Sequence, residues 1–172
     1  MPPSAPSAPS MDQRQRRLPP LSPTEEGFVR ALGRVMMALP RVVDADMVRD
    51  AGLPLSEYTA LMNLSESPGG HMRMSELAAA CDLSLSGMTR VVNRLEKDGF
   101  VQRARCDEDG RGWNAVLTES GLGRLEQAWP AHLASVRRHV MDHLDEDELG
   151  RLTGALERIA PGAGGAVSLR GR

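Results

Sequence analysis

The chain has 172 residues, 41% of them hydrophobic and 3% aromatic, with 21 basic and 23 acidic residues and a formal charge of −2. That length suits a single domain with a real core, the scarcity of aromatics argues against a stacking platform for single-stranded nucleic acid, and the bulk charge does not advertise a polyanion partner. Cys81 and Cys106 are too few for a disulfide scaffold and too far apart for a CxxC motif, no apolar run is long enough to span a membrane, and the start carries no secretory-type segment, so a cytoplasmic protein is expected.

Residues 1–22 are rich in Pro, Ser and Ala and read as a disordered tail; residues 161–172 read as a second, flexible tail, leaving one folded unit over 23–160. Thr24, followed by Glu25 and Glu26, marks a helix start, and Phe28, Leu32, Val35, Met36, Leu39 and Val43 recur at helical spacing. Pro40 should kink or divide that helix. A short helix capped by Ser56 follows, then the loop Ser67-Pro68-Gly69-Gly70. Ser75 is placed to cap a helix over 76–81, and Ser84 another running to Lys97, with Leu85, Met88, Val91, Val92 and Leu95 apolar and Gly99 ending it. Two β-like runs, 100–105 and 113–117, flank an acidic, Gly-containing tip and predict a hairpin. A long helix is expected from Glu119 to about Leu144, bent at Pro130, and a last one begins at the capping-box pattern Asp145-x-x-Glu148.

The informative stretch is Met74–Asn93. Counting from Met74, apolar residues occupy positions four, eight, ten, fifteen and eighteen (Leu77, Cys81, Leu83, Met88, Val91), with small Ala78 at position five, as two short helices crossing steeply require. The turn position holds Asp82 where glycine is usual; Asp tolerates positive φ better than most residues. A hairpin directly after such a pair makes a winged helix, and residues 84–105 carry five basic side chains (Arg90, Arg94, Lys97, Arg103, Arg105) against Glu96 and Asp98. The global charge therefore hides a basic edge. The fold class expected is mainly α with a β-hairpin wing: a winged helix-turn-helix over about 55–118, flanked by long dimerisation helices at about 23–50 and 119–160.

The run Ser84-Leu85-Ser86-Gly87-Met88-Thr89-Arg90-Val91-Val92-Asn93-Arg94-Leu95, followed by Gly99-Phe100-Val101-Gln102-Arg103, Asp109-Gly110-Arg111-Gly112 and Leu117-Thr118-Glu119-Ser120-Gly121, resembles the MarR family of bacterial transcriptional regulators over about residues 24–160. The resemblance implies a homodimer that sets two winged helices on a pseudo-palindromic duplex, with Arg111 entering the minor groove and Asp109 orienting it. Independently, the broad apolar faces of the first and last two helices exceed what one small winged domain covers, and a two-fold pair buries them.

The polar face of the second short helix then assigns Ser84, Ser86, Gly87, Thr89, Arg90, Asn93 and Arg94 to DNA, with Arg73 and Ser75 as phosphate candidates and Arg103 and Arg105 on the wing. No enzyme motif, metal site or cofactor is expected. The leading reading is a homodimeric repressor released by a small-molecule effector, for whose pocket Met36, Tyr58, Met62 and Trp129 are candidate lining residues. The rivals are a metal- or thiol-redox-responsive regulator on the same fold, using His139 and His143 or Cys106, and a winged-helix protein-interaction module without DNA.

Overall fold

In the computed structural model, which describes residues 19–105 and 112–160, the first helix, α1 (Pro23–Ala51), starts one residue earlier than the Thr24 signal suggests. Ser22 is its cap: the Ser22 hydroxyl accepts the Glu25 N–H (3.3 Å) while the Ser22 N–H donates to the Glu25 carboxylate (2.7 Å). Pro23 then takes the first helical position, where its missing N–H costs nothing. Pro40 lies inside α1 and does not divide it. The chain forms two compact units, one ending at Ala38 and the other beginning at Leu39.

In the first unit, Phe28, Val29, Val35, Met36 and Met37 are all more than half exposed. The second unit holds the core. Val43 and Met47 of α1, Tyr58, Leu61 and Leu64 of α2 (Leu55–Glu66), and side chains from the helices and strands that follow make one buried cluster. Ser56 is not the cap of α2. Asp44 supplies it from α1, accepting the Leu55 N–H at 2.8 Å, a long-range contact that local spacing does not reveal.

Strand β1 (His71–Arg73), absent from the sequence reading, adds an edge to the expected hairpin. Three residues are too few to show an alternating pattern, yet β1 pairs antiparallel with β3 (Trp113–Leu117) through His71–Val116, Met72–Ala115 and Arg73–Asn114, giving the order β1-β3-β2 with β2 at Val101–Arg105. The preceding turn puts both Gly69 and Gly70 at positive φ.

Helix α3 (Met74–Ala80) begins before Ser75, which falls within its first turn. Asp82 makes the turn at φ 54, and α4 (Leu85–Lys97) follows with Ser84 as cap, its hydroxyl accepting the Gly87 N–H at 3.1 Å. At the far end Gly99 (φ 76) lets the Phe100 N–H reach back to the Leu95 carbonyl, closing α4 with a Schellman-type bond. Helix α5 (Glu119–His139) is shorter than expected: Val140 leaves helical geometry (φ −134, ψ −65) and a 3-10 turn covers Met141–His143. The capping box at Asp145 and Glu148 opens α6 (Glu146–Ile159) as its spacing predicts. Of the expected tails, only residues 19–22 are described. No described helix is long and apolar enough to cross a membrane.

Candidate nucleic-acid interface

Helix α4 is two-faced because Met88, Val91, Val92 and Leu95 all point into the core. The remaining positions must then face outward, and Ser84, Ser86, Arg90, Asn93 and Arg94 are exposed, with Gly87 and Thr89 partly so. Thr89 returns its hydroxyl hydrogen to the Leu85 carbonyl (2.8 Å), and the hydroxyls of Ser84 and Ser86 lie 3.1 Å apart at the helix start. A Cβ on Gly87 would stand 3.2 Å from the Ser84 hydroxyl, so this glycine keeps the cap uncrowded as well as keeping the surface low.

Between α4, the start of α3 and the wing lies a groove of about 760 Å³, lined by Arg73, Ser75, Leu85, Thr89, Arg103 and Trp113 among others. Four residues assigned to DNA from sequence thus meet around one concavity. Leu85 and Trp113 also stand at its rim, 55% and 48% exposed. For Leu85 this corrects the sequence reading: it lies three residues before Met88, on the apolar stripe, yet the first turn of α4 projects past the edge of the core. Periodicity alone does not see where a core ends.

The wing arginines behave differently from one another. Arg103 on β2 turns back onto α4, donating to the Asn93 side-chain oxygen (2.5 Å) and reaching the Thr89 carbonyl and the Glu96 carboxylate (both 3.5 Å). Arg105 is exposed and lies over the Trp113 ring, 5.6 Å from its centroid. Arg94 is engaged by Glu57 of α2, a carboxylate only 8% exposed, whereas Arg90 makes no hydrogen bond or ion pair with a described residue. Asp109, Arg111 and Cys106 lie outside the described residues.

Away from this face, burial pushes the Cys81 thiol up to about 11, only partly offset by the Asn63 amide that donates to it, which leaves the sulfur a poor nucleophile. Tyr58 stacks on His132 of α5 at 4.5 Å; burial pushes the phenol up to about 12 and holds the imidazole below its ordinary value. Of the other residues considered for an effector pocket, Met62 is buried, Trp129 packs against the core and Met36 is 67% exposed. His139 is engaged with Asp46 at 2.9 Å, and no group of three His, Cys, Asp or Glu side chains among the described residues is arranged to hold a metal ion.

Two short helices meeting at a positive-φ turn, with the second exposing a polar face and a basic strand pair following it, define a winged helix-turn-helix protein. The MarR family model matches residues 51–112. Two solved structures from Streptomyces coelicolor extend the likeness over most of the chain: AbsC, a MarR family transcriptional regulator, is 40% identical with a TM-score of 0.74, covering 84% of this chain and 97% of that one. Sco3205, a MarR family regulator solved in complex with DNA, is 34% identical with a TM-score of 0.77, covering 85% and 91%. The repressor YetL of Bacillus subtilis is 30% identical over 97 residues, 56% of this chain. That match spans 58% of YetL's own length, and the match to the Escherichia coli repressor MprA spans 62% of its length. The chain belongs to the MarR family, a family of transcriptional regulators rather than enzymes.

Proposed function

We propose that the chain is a sequence-specific double-stranded-DNA-binding repressor that works as a homodimer and is released by a small-molecule effector. The observation that carries the DNA reading is α4, whose buried stripe leaves Ser84, Ser86, Thr89 and Arg90 on an exposed, N-capped end beside the groove. A helix N-terminus offers free N–H groups and a favourable dipole to phosphate, and the first turns of a recognition helix are those that reach base edges. Sco3205 having been solved with DNA supports the same reading. Arg73 and Ser75 line the groove from the α3 side and serve the backbone together with Arg105 on the wing strand, and the family resemblance assigns Arg111 to the minor groove.

For the effector, the supporting observation is polar and buried. The Tyr58 hydroxyl and His132 Nδ1 lie out of solvent contact without a hydrogen-bond partner among the described residues. Buried polar atoms left unpaired are costly, and a ligand that bonded them would favour whichever arrangement opens the site.

The test is a gel shift with the duplex upstream of the protein's own gene, repeated across salt concentrations. A salt-dependent complex outcompeting random duplex is expected, and Arg111→Ala should weaken it about tenfold or more, the loss of a narrow-groove contact worth roughly 1–3 kcal/mol. Equal affinity for the upstream and random duplexes would overturn sequence-specific repression; an unchanged affinity in Arg111→Ala would remove Arg111 from the interface.

A further inference from the structure

Three arginines of the basic edge, Arg90, Arg94 and Arg103, are sorted by the geometry. Arg94 Nε donates to Glu57 Oε1, and the Glu57 side chain is 8% exposed while that of Arg94 is 52% exposed. The pair therefore ties α4 to α2 with the carboxylate end sunk into the fold. Arg90 lies one helical turn earlier on the same side of α4, is exposed, and has no protein partner among the described residues. On the neighbouring face, Arg103 of β2 binds the Asn93 side chain and the Thr89 carbonyl, tying α4 to the wing.

We propose that Glu57 and Arg94 form a positioning pair that fixes the recognition helix on α2, and that Arg90 alone among the arginines of α4 contacts DNA. The proposal rests on the DNA-binding reading above. A move of Arg94 to a phosphate would strip its cation from a nearly buried carboxylate, and an unpaired buried charge is among the costliest things a fold can hold. Arg94 belongs to the last turn of α4, whereas the end that enters a groove is the first. Finally, the two ties, Glu57–Arg94 to α2 and Arg103–Asn93 to β2, hold neighbouring faces of the helix about 100° apart, so its roll is set before DNA arrives. Glu57 stands in the first turn of α2, and the basic side chain 37 positions away gives no local cue that the two meet.

The experiment compares wild type, Arg90→Gln, Arg94→Gln and the double variant Glu57→Gln/Arg94→Gln, which keeps a neutral hydrogen bond in place of the ion pair. Affinity for a mixed-sequence duplex is measured against salt, and thermal unfolding is measured without DNA. Each phosphate contact contributes roughly 0.9 to the slope of log affinity against log salt. Arg90→Gln should flatten the slope by about 0.9, or relax the preference for one base pair in the upstream duplex if that arginine reads guanine instead. Arg94→Gln should lower both melting temperature and affinity by leaving Glu57 unpaired. The double variant should recover most of both, with the wild-type slope. Recovery on removing a buried carboxylate that cannot reach DNA is not what loss of a phosphate contact produces. A slope flattened by about 0.9 in the double variant would overturn the proposal, as would single and double melting shifts that simply add. If wild type bound no duplex, the DNA reading itself would fall, and the DNA-free melting data would still decide whether the pair exists.

Discussion

At the scale of single residues, two glycines two positions apart in α5 have opposite reasons to be there. A Cβ on Gly121 would stand 2.0 Å from the Phe100 carbonyl oxygen and 2.9 Å from its carbon, a collision with backbone that no side-chain rotation relieves. Gly123 has nothing within 4 Å of that position. Gly121→Ala should therefore destabilise the protein by roughly 3 kcal/mol, the upper range for overpacking. Gly123→Ala should stabilise it, by up to about 1 kcal/mol, since alanine is the better helix former. Urea unfolding of the two variants checks both signs, and equal effects would sink the argument. The spacing Gly-x-Gly by itself does not tell the two apart. What separates them is the approach of the 99–100 turn, where Thr118 and Ser120 both donate to the Gly99 carbonyl, a contact made only once α4, the hairpin and α5 have docked. The same limit applied at Leu85 and at the Asp44 cap. By contrast, Asp82, Ser84, Gly99 and the Asp145 capping box declared their geometry locally, because turn and cap chemistry depends on a few adjacent residues.

At the scale of elements, α5 is bound to the second half of α1 through one carboxylate. Asp46, 8% exposed at its side chain, accepts from the Ser135 hydroxyl and Arg138, contacts His139, and pairs with Arg49 on its own helix. The Ser135 hydrogen bond, with His139 and Arg49 behind it and burial opposing, holds the Asp46 carboxyl well below the usual carboxylate range. The unfolded chain then takes up this proton before the folded one does. Stability contributed by Asp46 is complete above about pH 5 and is lost as pH falls through the ordinary carboxylate value and below. His132, two turns earlier, is depressed by burial, so the unfolded chain also protonates there first, and stability should start to fall below the ordinary imidazole value of 6.5. Melting temperature should thus drop in two separate windows on acidification. His132→Phe should remove the upper step, and Asp46→Asn, less stable at neutral pH, should converge on wild type at the acid end. A single unbroken decline in wild type that neither variant alters would refute this account. His139 meets this carboxylate across 93 residues of sequence, a contact beyond any local pattern.

At the scale of the whole molecule, the fold leaves apolar surface open on two helices. On α6, Leu152, Leu156 and Ile159 recur at i, i+4 and i+7 and are 41–55% exposed, and no residue of that helix is buried. On the first unit, Phe28, Val35 and Met36 stand out by 51–67%. At about 25 cal/mol per Å², such stripes favour association, and a closed two-fold pair satisfies both without leaving a sticky edge. The proposed homodimer also gives the basic edge its purpose in a chain of net charge −2: one recognition helix on its own makes few phosphate contacts, whereas two, set about 34 Å apart along a duplex, bind as one unit. Joining two modest half-site affinities raises the total by roughly 10²- to 10⁴-fold. Leu156→Glu/Ile159→Glu places charge on the α6 stripe and touches nothing in the winged-helix core, so its circular dichroism should match wild type. Sedimentation should shift it from dimer to monomer at micromolar concentration, and its affinity for the upstream duplex should fall by about 100-fold or more, near or beyond the upper end of what a single base-reading substitution costs. A variant that stays dimeric would clear α6 of the interface. One that becomes monomeric yet keeps full affinity would show that a single winged helix suffices, against the two-fold reading.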